Sequence, residues 1–200
     1  SEEYTFCVLC TPVGPYYSGA VAVKIETEYS RATTGGIGFT KAAGNYGGAF
    51  YPTAQAIKEG YNQVIWTDHK EHKYIEESGT MNLMLVLGDK LVTPPLTDRI
   101  LAGITRNSII ELTKSWGWEV EERPISVAEI VEHAKNGTLK EAFGVGTAAV
   151  VSPINRIGFH GEDFAIPTPE DGKGMEIKAG LNKIRMGSVE DKFNWMVHVK

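Results

Sequence analysis

The sequence predicts a mixed α/β domain, and three observations predict it. Apolar residues fill 42% of its 200 positions, enough for a real core. Short runs of strand composition alternate with helical stripes, several of which end at a glycine. The strand before the glycine-rich stretch does not lead straight into a helix at dinucleotide-fold spacing, which argues against a Rossmann arrangement.

The elements follow in order. Residues 4–11 read as a buried strand, and Cys7 and Cys10 within it as core cysteines. A spacing of three puts the two on opposite faces of a strand, against a redox or metal pair. Residues 12–19 read as a turn or linker, and Ala20 to Glu26 alternates like a strand. After the glycine-rich segment 33–48, Ala49 to Gly60 reads as a helix with Phe50, Ala54 and Ile57 as its apolar stripe and Gly60 at its C-terminal cap. Gln63–Thr67 is a short strand. Asn82–Leu87 and Lys90–Thr93 are strands joined by Gly88-Asp89 and stopped by Pro94-Pro95. Thr105 to Trp116 is a helix that buries Ile109, Ile110, Leu112 and Thr113, with Gly117 at its end. Ser126-Val-Ala-Glu129 is a capping box for a helix through Ala134. Thr147 to Ile154 reads as an apolar strand, a hairpin turns near Gly161, residues 174–187 form a helix, and Phe193 to Val199 a last strand.

Composition narrows the function. The net charge of −5 and pI near 5.6 speak against a nucleic-acid or membrane-surface partner. No apolar run reaches the roughly 18–20 residues that span a bilayer. The acidic opening Ser1-Glu2-Glu3 does not read as a signal peptide, and two cysteines do not make a disulfide framework, so a cytoplasmic setting is expected. The chain opens without Met directly in a strand-like run, and reads as a piece that lacks an N-terminal portion, the alternative being a processed terminus or a short tag remnant.

Glycine is the compositional outlier, with 22 residues against a usual share of about 7%. Six of them crowd Gly35-Gly-Ile-Gly-Phe-Thr-Lys-Ala-Ala-Gly-Asn-Tyr-Gly-Gly48, around Lys41. Such a turn can bury an amine against a ligand while keeping other side-chain bulk away. A phosphate loop would need a hydroxyl after the lysine, and Ala42 is there. The backbone amides at Ile104 and Thr105, which open a helix after Gly103, suit an anion. On their own residues the bland readings stay open. Lys41 and Arg31 could be surface cations, Tyr46 a core tyrosine, Thr105 an ordinary cap and Thr147 part of a tight turn. Glu77, beside Glu76, reads most simply as an exposed turn acid. Asp68-His69-Lys-Glu-His72 reads as a solvated loop, and no metal is expected.

Taken together, the motifs resemble a known family. Thr40-Lys-Ala-Ala-Gly-Asn-Tyr46 is similar to the cofactor-lysine motif of the branched-chain amino-acid aminotransferases, which are fold-type IV pyridoxal-phosphate (PLP) enzymes. Val13-Gly-Pro-Tyr16 resembles their interdomain segment, and Gln63-Val-Ile-Trp66 with Glu77-Ser-Gly-Thr-Met-Asn82 their acidic motif. Thr93-Pro-Pro-Leu96, Leu101-Ala-Gly-Ile-Thr-Arg106 and Phe143-Gly-Val-Gly-Thr-Ala148 resemble their phosphate-binding stretches, and Ile166-Pro-Thr168 and Trp195 also fit. The likeness runs in order through nearly the whole chain, and its wording favours the branched-chain group over D-amino-acid aminotransferases and aminodeoxychorismate lyases.

The resemblance implies a pseudo-barrel of strands flanked by helices. Residues 1–13 would be the last strand of a missing small domain, 14–20 an interdomain linker and 21–200 the PLP-binding large domain. It implies Lys41 as the covalent and proton-moving residue and Glu77 as partner of the pyridine nitrogen. Tyr46 would lie at the phenolic oxygen, Ile104, Thr105 and Thr147 at the phosphate, and Arg31 near the cofactor. Thr80, Ala148 and Tyr16 would meet the substrate. The expected substrates are leucine, isoleucine and valine with 2-oxoglutarate, and the expected assembly a homodimer. Without the small domain the alternative is a domain that folds but does no chemistry. Ala149-Val-Val-Ser152 stands where some members carry a redox Cys-x-x-Cys.

Overall fold

The computed structural model describes residues 2–14 and 19–199. Val21, Val23 and Ile25 are buried, alternating with partly exposed neighbours, and form strand β1 (Val21–Ile25). Helices α1 (Ala43–Gly47) and α2 (Phe50–Lys58) follow the glycine segment. At the end of α2, Gly60 turns at φ +88. Its N–H donates to the Ile57 carbonyl and that of Tyr61 to the Ala56 carbonyl, both at 3.0 Å, a Schellman closure. Strands β2 (Gln63–Thr67), β3 (Ile75–Ser78), β4 (Met81–Leu87) and β5 (Lys90–Thr93) come next. Helix α3 (Ile104–Ser115) leads to β6 (Val120–Glu122) and α4 (Val127–Lys135). The chain then runs through β7 (Leu139–Gly146), β8 (Val150–Phe159), β9 (Glu162–Ala165) and α5 (Lys173–Arg185).

The strands pair in the order β3-β2-β1-β8-β7-β4-β5-β6, and β3 also pairs with β4. That extra pairing closes β3, β2, β1, β8, β7 and β4 into a ring, so the expected pseudo-barrel is what forms. Strand β1 runs parallel to both its neighbours, β2 and β8, whereas β4 is antiparallel to β3, β5 and β7. The period-two rule divides β4 between two cores. Leu83, Leu85 and Leu87 join β1, β8 and α4 in one, and Met84 and Val86 join α3 and α5 in the other. A strand apolar on both faces needs cover on both sides, which explains the unbroken apolar run Leu83–Leu87. The Ser126 hydroxyl caps α4 by accepting from the Glu129 N–H at 3.0 Å. The Glu129 carboxylate pairs with Arg123 at 2.6 Å.

Several expectations need correction. Residues 4–11 form no strand: Tyr4, Phe6 and Leu9 are exposed, and no edge of this sheet pairs with them. Cys7 and Cys10 are accordingly exposed and not core residues. In α2 the stripe is inverted. Phe50, Ala54 and Ile57 face outward, while Pro52 and Ala56 are buried, Ala56 against Val64 and Trp66 of β2. The apolar strand at Thr147 starts only at Val150, and residues 147–149 are turn. The last segment is not a strand. The Asp191 carboxylate accepts from the N–H groups of Phe193 and Met196, Asn194 has φ +57, and Phe193 stacks on Trp195 at 4.2 Å against the second core. Strands β3, β6 and β7 and helix α1 were not expected. The linker residues 15–18, and with them Tyr16, lie outside the described residues.

Removing the α4 cap should cost little but measurably. Ser126→Ala is expected to lower unfolding free energy by about 1 kcal/mol with an unchanged denaturant slope, checked by urea titration.

Candidate active site

The site begins at the β3–β4 hairpin. Ser78 pairs with Met81, so only Gly79 and Thr80 lie between the strands, and Gly79 supplies the positive φ of +57 that such a tight turn requires. The next pair in register is Glu77 and Asn82, which therefore point to the same side. Glu77 is 4% exposed in β3, so it is a buried strand residue and not the exposed turn acid its neighbours suggest. Its Oε1 accepts from the Leu101 N–H at 3.0 Å and from Asn82 Nδ2 at 3.3 Å. Arg31 Nε lies 2.8 Å from Oε2, as an ion pair rather than a well-directed hydrogen bond. Burial pushes the Glu77 carboxyl up to about 7, against the opposing pull of Arg31 and the Leu101 N–H.

Glu76 points the other way and is also buried, with Arg99 Nε as its partner. Burial raises its pKa too, with the Arg99 hydrogen bond pulling against it. The same two arginines knit the glycine segment to the loop before α3. Arg31 donates to the carbonyls of Gly38 and Arg99, Arg99 donates to the Thr34 hydroxyl, and the Phe39 N–H donates to the Asp98 carbonyl. Gly38 must be glycine there, since a Cβ would sit 2.7 Å from the Arg99 backbone.

This docking brings Lys41 to the site. Asn45 Nδ2 donates to the carbonyls of Ile37 and Thr40, fixing the turn that carries the lysine. Lys41 Nζ lies 3.3 Å from the Tyr46 hydroxyl and, contrary to expectation, is exposed rather than buried. Across the site α3 begins at Gly103 without a side-chain cap, so the amides of Ile104 and Thr105 are left for an outside acceptor. The turn 147–149 leads into Val150, whose φ of +58 is strained for a β-branched residue.

A cavity of about 700 Å³ is lined by all these groups: Lys41, Tyr46, Arg31, Glu77, Thr80, Ile104, Thr105, Thr147 and Ala148. Every predicted site residue among the described ones reaches it. It also holds residues that the sequence reading passed over, chiefly Asn82, Met81 and Leu101. The pairing of Asn82 with Glu77 was open to deduction, because a two-residue hairpin at Gly79-Thr80 forces it. A larger groove of about 1130 Å³ along α4, lined by His72, Val131 and His160 among others, gathers none of the predicted residues. Chemically, the smaller cavity offers an amine, a buried carboxylate with a cation behind it, and an anion seat at a helix N-terminus.

Comparison with known proteins agrees with this geometry. A family model described as amino-transferase class IV matches residues 4–157. The branched-chain-amino-acid transaminase 1 of Bacillus subtilis is 41% identical over 204 residues, which cover 100% of this chain and 57% of that protein. A probable branched-chain-amino-acid aminotransferase of Staphylococcus aureus is 43% identical with the same coverage. Among solved structures, the branched-chain aminotransferase of the archaeon Thermoproteus uzoniensis, crystallised with norvaline, aligns with a TM-score of 0.78 and 26% identity over 94% of this chain and 59% of its own. The Escherichia coli branched-chain enzyme gives 0.73 and 28% over 90% of this chain and 56% of its own. The chain thus spans little more than half the length of the relatives it matches.

Glu77 should leave a pH signature in the ligand-free protein. Its folded pKa of about 7 lies above the ordinary 4.5, so the folded state binds the proton more tightly than the unfolded one. Its contribution is complete below the ordinary value and is lost as pH rises through about 7, by on the order of a few kcal/mol. Glu77→Gln is expected to flatten this decline, whatever it does to absolute stability by leaving Arg31 unpaired. Denaturation midpoints across that pH range check it, and an unchanged slope would count against the assignment.

Proposed function

The chain belongs to the class IV aminotransferases, and from that membership we propose that it forms the pyridoxal-phosphate-binding part of a branched-chain amino-acid aminotransferase. The observation that carries the proposal is the single cavity in which distant segments present Lys41, the Glu77–Arg31 pair and the uncapped start of α3. These residues fit the cofactor. An anionic group suits the free amides of Ile104 and Thr105, and Gly103 before them carries no side chain, its neighbour Asn82 taking up the space a Cβ would need. A buried carboxylate backed by an arginine suits a ring nitrogen that must stay protonated.

When bound, pyridoxal phosphate supplies an electrophilic carbonyl carbon and a ring that accepts electrons. This chain's residues would do the rest. Ile104 and Thr105 would hold the phosphate through backbone N–H groups, with Thr147 adding its hydroxyl and amide. Glu77, whose ionised form Arg31 favours against the effect of burial, would pair with the proton on the ring nitrogen. Tyr46 would donate its hydroxyl beside Lys41 and orient the phenolic oxygen. Lys41 Nζ would form the covalent link, and then carry the proton taken from the substrate Cα. Thr80 and Ala148 would meet the substrate carboxylate through side chain and backbone, and the resemblance adds Tyr16 as a further substrate residue. The amino group would pass from leucine, isoleucine or valine to 2-oxoglutarate, as the names of the relatives and the resemblance of the motifs support.

We read residues 21–200 as the large domain, 14–20 as its linker and 1–13 as a strand belonging to a neighbouring small domain. The exposure of Tyr4, Phe6, Val8 and Leu9, with no partner strand in this sheet, supports that reading. The proposed setting is a cytoplasmic homodimer. The outward Phe50, Tyr51 and Ile57 of α2 support a face covered by protein.

Trapping tests the proposal. Pyridoxal phosphate added to the protein should give an absorbance band at the visible edge, and borohydride should fix its mass on the peptide carrying Lys41. Lys41→Ala should abolish the fixed mass and lower transamination of leucine by about 10³-fold or more. If the band is missing, or the fixed mass sits on another lysine, the reading is wrong.

A further inference from the structure

The cross-strand partner of Glu77 is Asn82, 5% exposed, and its amide group is shared between the two ends of the cavity. Asn82 Nδ2 lies 3.3 Å from Glu77 Oε1 and donates to the Leu101 carbonyl at 2.9 Å. The Leu101 N–H returns to the same Glu77 oxygen at 3.0 Å. These contacts link the carboxylate, the Asn82 amide and both polar groups of Leu101. On its other side, Asn82 Oδ1 fills the space beside Gly103, where a Cβ would come within 2.2 Å of it. Gly103 is the N-cap residue of α3 and sets where the amides of Ile104 and Thr105 begin. Arg31 occupies the other Glu77 oxygen, so Oε1 depends on Asn82 and Leu101 for its hydrogen bonds.

We propose that Asn82 is a positioning residue that locks the orientation of Glu77 to the N-terminus of α3, so that the nitrogen partner and the phosphate seat move as one unit. The inference rests on the reading of this cavity as a pyridoxal-phosphate site and deepens it. An asparagine suits the task because its Nδ2 can serve a carboxylate and a carbonyl at once, both of which are acceptors only. An aspartate would put a third acceptor among them, with a second negative charge beside Glu77. Alanine would take one donor from the buried Glu77 Oε1, leaving it only the Leu101 N–H at 3.0 Å, and one from the partly buried Leu101 carbonyl, leaving it only the Gly103 N–H at 2.8 Å. Gly103 offers an independent handle on the same contact. Its φ of −66 and ψ of 130 suit alanine, so Gly103→Ala introduces only the clash with Asn82.

The test uses the full-length protein carrying Asn82→Asp, Asn82→Ala, Gly103→Ala, or the last two together. One readout needs no cofactor: the carboxyl carbon-13 titration of Glu77 in the cofactor-free protein, assigned through Glu77→Gln. The other is the dissociation constant for pyridoxal phosphate, read by absorbance. Asn82→Asp should raise the Glu77 midpoint by about one pH unit or more. Asn82→Ala should weaken cofactor binding about tenfold while unfolding stays cooperative. Gly103→Ala should reproduce that loss by displacing the amide. The double variant should bind no more weakly than Asn82→Ala alone, since the new methyl then enters vacated space.

The inference is overturned if folded Asn82 variants bind within about twofold of the parent with an unmoved Glu77 titration, or if the two losses add in the double variant. Should the Asn82 variants fail to fold, Gly103→Ala decides alone, and normal binding by it overturns the inference. A parent protein that takes up no pyridoxal phosphate removes the reading beneath and the inference with it. Normal parent uptake with indifferent variants removes the inference only.

Discussion

Two neighbouring carboxylates at the end of β3 constrain everything built around them. Glu76 and Glu77 are both buried, and a strand sends them to opposite faces. Burying one charge without a partner costs several kcal/mol, and two in succession would leave this strand unable to pack. The chain meets the demand with two arginines from different loops, Arg99 for Glu76 and Arg31 for Glu77. Each arginine also donates to the other loop. Arg31 reaches the carbonyl of Arg99, and Arg99 the hydroxyl of Thr34. Solvating the acids and docking the glycine segment are therefore the same set of contacts. The position of Lys41 follows from them, because its turn rests on the loop that Arg31 and Arg99 hold.

The closed sheet is the other half of the arrangement. The hairpin β3–β4 closes the ring and also carries Glu77, Thr80 and Asn82. The hairpin β7–β8 supplies the turn with Thr147 and Ala148, and β4 lies between β3 and β7. The cavity is thus lined at two hairpin ends on neighbouring strands, with α3 and the Lys41 turn facing them. A pocket built on paired strands holds its groups to within the tolerance of backbone hydrogen bonds, which loops alone would not provide.

Much of this was legible in the sequence, for identifiable reasons. The helix at Ile104–Ser115 and the cap at Ser126 announce themselves by periodicity and by a local side-chain pattern, and both are where expected. The motif residues named from family likeness converge on one cavity, because they are spaced by the fold and not by the local chain. What failed depended on partners that local sequence does not reveal. Residues 4–11 have strand composition but no edge to join here. In α2 the buried face was set by the bulk of Trp66 opposite it, so small residues went inward and Phe50 outward. Glu77 looked like an exposed acid because nothing near it in sequence reveals an arginine forty-odd positions earlier. Asn82 was missed as a site residue although its register with Glu77 follows from the two-residue turn.

The ring of strands also has a temporal meaning. Strand β1, near the start of the chain, lies beside β8, with Val21 paired to Ile154, and runs parallel to it. Contacts so distant along the chain carry a large loop-closure cost before they return any stability, and they slow folding. During synthesis the Lys41 turn, the Glu77 hairpin and the start of α3 all leave the ribosome before β8 exists. The half-built sheet waits with β1 open on one edge and β7, paired to β4, on the other. Only the arrival of β8, beside β7, joins the two edges and brings Thr147 to the cavity. The nascent chain would therefore hold no complete site until most of its length has been made, and exposed strand edges in that interval are where a chaperone would bind.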